Sequence, residues 1–195
     1  MVLTSVVVVL SPQMLEPSEP NHYLFNETRY QPTPVASGLS QSTTILNGIT
    51  GSVSWLIFTV RYTSALTGTG NFTFLPISSF NLLGSDGSNI CGGSAITSAT
   101  CLLMMNRWNT LGSYSAENSL GVVNNGSNAY MFAFSCDPIT QSSNGTQYGS
   151  KNFLGNEQLI ITFASALTSA AQIDIYASVN GIIEQTTQYI KKKSL

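Results

Sequence analysis

Apolar and polar residues alternate along this chain over short runs, and clusters of Gly, Asn, Ser and Pro separate the runs. That rhythm is the signature of β-strands joined by turns. Val53–Val60 is the clearest run. Val53, Trp55, Ile57 and Thr59 fall on one side, Ser54, Leu56, Phe58 and Val60 on the other, and both sides stay largely apolar until Arg61 and Tyr62. A strand of this kind is covered on both faces, as in a sandwich or barrel. Ala129–Cys136, Gln158–Ser165 and Gln172–Ser178 read as further strands, the last with Ile173, Ile175 and Ala177 on one face. Gly181–Ile190 reads as a separate closing strand, Asn71–Leu75 as a short strand ended by Pro76, and Val2–Leu10 as a buried strand around Val6–Val9. Ser64–Gly70 and Gly84–Asn89 are turns. Thr97–Trp108 leaves strand and short helix open, because Leu102–Met105 are good helix formers set among β neighbours. No long amphipathic helix interrupts the series, so the pattern predicts an all-β sandwich.

Residues 12–34 break the rhythm. They hold five of the seven prolines, Pro12, Pro17, Pro20, Pro32 and Pro34. Proline fixes φ and removes a backbone donor, which predicts a connector or extended arm and not sheet interior. Tyr23, Phe25 and Tyr30 predict that this arm lies on an apolar surface, of its own domain or of a neighbour.

Composition adds one feature. Only 8% of the 195 residues are charged while 43% are apolar, so Ser, Thr, Asn, Gln and Gly stand where charge is usual. Ordinary soluble domains carry about 25% charge. A neutral polar surface suits a protein whose faces meet other copies, and it is also found on secreted sandwiches and fibres. The few charges are expected mainly in loops, in the arm and in the tail Lys191–Lys193. The net charge of −2 carries no nucleic-acid signature. The length fits one domain, divided into an N-terminal strand and arm over 1–50, the sandwich over 51–190 and a basic tail over 191–195.

The candidate chemistry is sparse. The odd set Cys91, Cys101 and Cys136 is no disulfide framework, and with His22 the only histidine a Cys/His zinc site is not expected. The nine carboxylates are scattered, and His22, in a proline-rich stretch, is a poor base for a catalytic triad. Asp86-Gly87-Ser88-Asn89 reads as a turn before it reads as a calcium loop. Sequons at Asn26, Asn71, Asn125 and Asn144 matter only in a secretory pathway. Val2–Leu10 is too short to span a bilayer and lacks the basic start of a signal peptide. No enzyme activity, cofactor or small-molecule substrate is expected. Lys191, Lys192 and Lys193 leave two readings open, contact with an anionic surface of lipid or nucleic acid, or a solvated tail.

Four segments carry a likeness. Ala129-Tyr130-Met131-Phe132-Ala133-Phe134-Ser135-Cys136-Asp137-Pro138 resembles a strand-and-turn segment of the double jelly-roll major capsid proteins. The strand Phe153-Leu154-Gly155-Asn156-Glu157-Gln158-Leu159-Ile160-Ile161, after the loop Asn144–Ser150, resembles the family's next strand. Ile173-Asp174-Ile175-Tyr176-Ala177-Ser178-Val179-Asn180 resembles its closing strand. Ser79-Phe80-Asn81-Leu82-Leu83-Gly84-Ser85-Asp86-Gly87 resembles a piece found in the tailless, membrane-containing phage branch. Together these cover roughly residues 50–180.

The resemblance implies an eight-stranded antiparallel jelly-roll β-sandwich with an extended N-terminal strand and arm. It implies a virion protein that self-assembles into an icosahedral shell with copies of itself and other capsid proteins. The arm aromatics Tyr23, Phe25 and Tyr30 would reach an adjacent subunit, and Lys191–Lys193 would face an internal membrane or the genome. A double jelly-roll chain is considerably longer than this one, so the chain reads either as a second barrel alone or as a single jelly-roll relative. The alternative of another class is a secreted or surface binding module, an adhesin or fibre head that binds glycans, with Trp55 buried and Trp108 exposed.

Overall fold

The computed structural model describes residues 21–67, 74–101, 128–134, 149–185 and 190–194. Ten strands are found among them. They are β1 (Asn21–Val35), β2 (Gln41–Ile45), β3 (Thr50–Tyr62), β4 (Ile77–Leu83), β5 (Ile96–Thr97), β6 (Ala129–Ala133), β7 (Lys151–Leu154), β8 (Gln158–Phe163), β9 (Ala171–Gln185) and β10 (Ile190–Ser194). All the pairings are antiparallel. The larger sheet runs β1-β9-β3-β6, with β7 beside β3 and β10 beside β9; the smaller runs β2-β8-β4-β5.

The pairing is nested. β1 pairs with β9, β2 with β8, β3 with β6 and β7, and β4 with β5. First meets last and second meets second-to-last, as when one long hairpin is rolled into two facing sheets. That is a jelly roll. β6 (opposite Trp55–Thr59) and β7 (opposite Thr50–Val53) lie end to end along β3 and share one strand position. The roll therefore has eight strand positions, with β10 added outside them.

The two sheets enclose an apolar interior of Leu56, Phe58 and Val60 from β3, Phe80 and Leu82 from β4, Leu159 and Ile161 from β8, and Ile173 and Ile175 from β9, all almost fully buried. A run of aromatic contacts crosses it, from Tyr130 to Phe58 to Phe80 to Phe132 to Phe134 to Phe153, with ring centroids 4.8–6.1 Å apart. Such edge-to-face and stacked pairs add about 0.5–1.5 kcal/mol each beyond the area they bury. β3 is covered on both sides, as its pattern predicts.

Several expectations are corrected. Residues 21–35 are not a loop but a fifteen-residue strand, paired along its whole length with β9 of the same chain. Their prolines are tolerated because β1 is an edge strand. Pro32 and Pro34 are two residues apart, so both nitrogens can face the open side, where no donor is needed. The stretch Phe153–Ile161 is two strands in different sheets. The chain turns at Gly155 (φ 88°), and the buried Glu157 carboxylate accepts hydrogen bonds from the backbone N–H of Leu154 (2.8 Å) and of Gly155 (2.9 Å). Phe74 and Leu75 lie outside any strand, although Leu75 N–H donates to the Val60 carbonyl. Thr63–Thr67 is a 3₁₀ turn. Residues 98–101 are helical, which selects helix at the start of the ambiguous segment. Val2–Leu10, Trp108 and Cys136 lie outside the described residues.

Gly181 does not separate two strands. β9 runs unbroken through Asn180-Gly181, a pair that reads as a turn signal, and Gly181 sits under the Phe25 ring opposite it in β1. A Cβ there would stand 2.5 Å from two ring carbons. Glycine is thus the residue that lets Phe25 lie flat. Gly181→Ala is expected to destabilise the chain by about 1 kcal/mol or more by overpacking, although the same change in an open strand stabilises by about 0.5 kcal/mol or more. Phe25→Ala costs stability by itself, but in that background the further change Gly181→Ala is expected to cost little or nothing, because the ring it meets is gone. Denaturant midpoints of the three variants check this, and an unchanged midpoint in Gly181→Ala contradicts it.

Candidate functional site

Beyond the end of β3, β9 continues between β1 on one side and β10 on the other, so a three-stranded ribbon extends the larger sheet. Lys191, Lys192 and Lys193 lie in this ribbon, opposite Glu184, Ile183 and Ile182. They form a strand and not a free tail. Side chains alternate faces along a strand, which separates Lys192 from Lys191. Lys192 makes an ion pair with Glu27, and its ammonium stands 5.3 Å from the Phe25 ring centroid. Arg29 approaches the same carboxylate at 3.7 Å and donates to the carbonyl and hydroxyl of Thr50, both at 2.7 Å. On the other face Lys191 is exposed, and the largely buried Glu184 lies 3.6 Å from the exposed His22. The ribbon thus carries an excess of basic groups, of which Lys192 is already partnered.

The three arm aromatics all lie in β1. Tyr23 and Phe25 are half-buried in the ribbon, and Tyr30 is 42% exposed on the outer face of the larger sheet. Tyr30 stacks on Tyr176 at 4.9 Å. Its hydroxyl donates to Asp174 Oδ1 (2.6 Å), while Arg61 Nε meets Asp174 Oδ2 (2.6 Å) and Gln172 Nε2 donates to Oδ1 (2.6 Å). One carboxylate, 1% exposed, therefore ties β1, β9 and β3 together. Burial, then the hydrogen bond to Asp174 and its charge, push the Tyr30 hydroxyl up to about 12. Burial also raises Tyr176. Sequence reasoning missed this node. Its only signal was an acid inside the apolar alternation Ile173-Asp174-Ile175.

The remaining candidates sit apart. Asp86 Oδ1 accepts from the backbone N–H (2.9 Å) and hydroxyl (2.6 Å) of Ser88, which lowers its pKa; its carboxylate is taken up by its own turn. Among the described residues no group of three or more His, Cys, Asp or Glu could hold a metal ion. Cys91 and Cys101 are free thiols, and burial pushes Cys101 up to about 12. Trp55 is half-buried and packs against the core. Of the sequons only Asn26 is described, in β1.

Charge is not concentrated in loops. Among the described residues only Asp86 and Glu157 lie outside strands, and every charged strand residue belongs to the larger sheet. β2, β4, β5 and β8 contain none.

No protein-family model matches the sequence, and no curated protein matches it significantly. Solved structures do match. VP54 of PBCV-1, a crystal structure fitted into a cryo-EM reconstruction of the virophage Sputnik, superposes with TM-score 0.62 at 13% identity, over 90% of this chain and 52% of VP54. The Faustovirus major capsid protein gives TM-score 0.61 at 9% identity, over 83% of this chain and 33% of its own. A chain of the Sputnik virophage cryo-EM structure gives 0.51 at 14% identity, over 94% and 40%. This chain spans about half the length of VP54 and less of the other two. The fold it shares with them is a jelly-roll β-sandwich.

Asp174→Asn is expected to cost about 3 kcal/mol in denaturant unfolding, because it leaves Arg61 without a counter-charge at a covered site. It is also expected to bring the Tyr30 pKa down from about 12 without restoring the ordinary value near 10, since burial is the larger cause. Ultraviolet difference titration of tyrosinate reads this directly. In the native chain the unfolded state loses the Tyr30 proton first, so stability falls as pH rises from about 10 to about 12.

Proposed function

We propose that this chain is a structural subunit of a virus capsid, supplying one jelly-roll barrel to an icosahedral shell and working by association and not by catalysis. The observation that carries the reading is the fold match, across 90% of the chain, to PBCV-1 VP54. The Faustovirus protein, described as a major capsid protein, supports the same role. The partners are further copies of the chain and other capsid proteins, and the location is the virion. The partial coverage of the matched chains suits either one barrel of a double jelly roll or a single jelly-roll subunit.

The sparse charge supports this role, because a neutral flank packs against a neighbour without the cost of desolvating ions. Of the arm aromatics, Tyr30 is the most open to an adjacent subunit. Lys191, exposed on the ribbon, and its strand neighbour Lys193 are the proposed contacts with an anionic interior, viral membrane or genome; Lys192 is engaged by Glu27. No observation favours the adhesin or fibre-head alternative.

Two measurements test the proposal. Negative-stain electron microscopy of the purified chain at rising concentration is expected to show ordered oligomers or shells, and peptide mass spectrometry of purified virions is expected to find the chain at high copy number. A chain that stays monomeric and is absent from particles overturns the reading.

A further inference from the structure

The smaller sheet presents an outward face with a regular composition. Cross-strand register places its outward side chains in three rows, Gln41–Thr162–Ser79, Thr43–Ile160–Asn81 and Ile45–Gln158–Leu83, with Thr97 beside Ser79. The opposite parity, Thr44–Leu159–Leu82 and Ile161–Phe80, faces the core. Gln41 donates to Thr162 at 3.3 Å, consistent with a shared face. No residue of the grid is charged. Gln41, Thr43 and Ile45 are exposed, Ile45 to 55%.

We infer that this face is a contact surface between copies of the chain, the smaller sheet of one copy lying against the smaller sheet of the next. The inference rests on the self-assembly reading above and assigns the surface that carries it. Two observations support the occupant. First, Ser, Thr, Asn and Gln each both donate and accept hydrogen bonds, so a grid of them is its own complement under a two-fold rotation. A face of one charge sign repels its copy, whereas this face meets itself with no ion to desolvate. Second, among the described residues every charged strand residue lies on the other sheet, so this face offers no charge to select a charged partner.

The area sets the strength. Three strands about 4.8 Å apart with three outward residues each span roughly 300 Å², against about 800 Å² per partner in a stable pair. The contact is therefore weak by itself and holds as one of several around a subunit, which is how a shell is assembled reversibly.

Sedimentation velocity over a concentration series tests the assignment, with wild type, Thr43→Lys, Thr43→Glu, an equimolar mixture of the two variants, and Ser169→Lys in the exposed loop between β8 and β9 as control. Circular dichroism confirms the fold, and Ile45→Lys with Ile45→Glu, at the most exposed grid position, replace the pair should Thr43 variants lose sheet signal. Each single variant is expected to raise the concentration needed for association about tenfold or more by like-charge repulsion. Mixing is expected to restore association, because opposite charges then face one another within about a Debye length, ~10 Å. The control is expected to behave as wild type. Wild type that assembles while the variants assemble equally well overturns this face and leaves the capsid reading standing. Loss in the single variants without rescue on mixing overturns the same-face pairing. Wild type that never associates overturns both.

Discussion

The backbone of β9 is hydrogen-bonded to β1 along one side, and to β3 and then β10 along the other, over fifteen residues. Both sides of the strand are occupied throughout, and much else follows from it. A buried strand whose N–H and C=O groups lacked partners would cost about 1–3 kcal/mol for each one, so β9 fixes where its neighbours must run. β1 has to be a strand in spite of its prolines, and β10 has to take over where β3 leaves. Alternate residues of β9 then supply the core, with Ile173, Ile175, Ala177 and Val179, while Asp174 and Tyr176 form the outer polar and aromatic cluster.

The same constraint explains what was legible in the sequence. The alternation in Val53–Val60, Ala129–Cys136, Gln158–Ser165 and Gln172–Ser178 reports strands whose faces differ in burial, or are both buried, and β3, β6, β8 and β9 lie there, with β6 and β8 ending earlier, at Ala133 and Phe163, and β9 running on to Gln185. The misreadings fall where a local signal is overridden from across the sheet. Pro32 and Pro34 forbid a ladder bond only on the side they face, and an edge strand has one free side. Asn180-Gly181 carries turn propensity, but Phe25 from another strand occupies the space a side chain would fill. Gly155-Asn156 does turn the chain, and it moves the strand to the other sheet because Glu157 folds back onto the N–H groups of Leu154 and Gly155. Propensity cannot report a partner that lies far along the chain.

Candidate chemistry was legible to a smaller extent. Lysines in a run read as a tail because like charges repel and favour extension into solvent. Here the repulsion is relieved by register. The strand pleat sends Lys192 to the face where Glu27 and the Phe25 ring stand, and places Lys191 opposite Glu184. Asp174 is similar, since its three partners come from positions 30, 61 and 172 and only one of them is close in sequence. A buried carboxylate that gathers a tyrosine, an arginine and an amide is a strand tie, and it leaves the surface above it aromatic instead of charged.

The scarcity of charge takes on a different meaning once its location is known. Spread evenly, so few charges would leave every face slightly protected against association. Instead the larger sheet and its ribbon carry the strand charges, several of them paired, while the smaller sheet carries none. A two-layer sandwich has only two broad faces, and loading one with ions makes it the costlier to dehydrate. The uncharged face is then the cheaper one to cover, and its amides and hydroxyls can exchange water for one another with little net change in hydrogen bonding. Low charge is thus a directional property of the sandwich, whose two broad faces differ in what it costs to cover them.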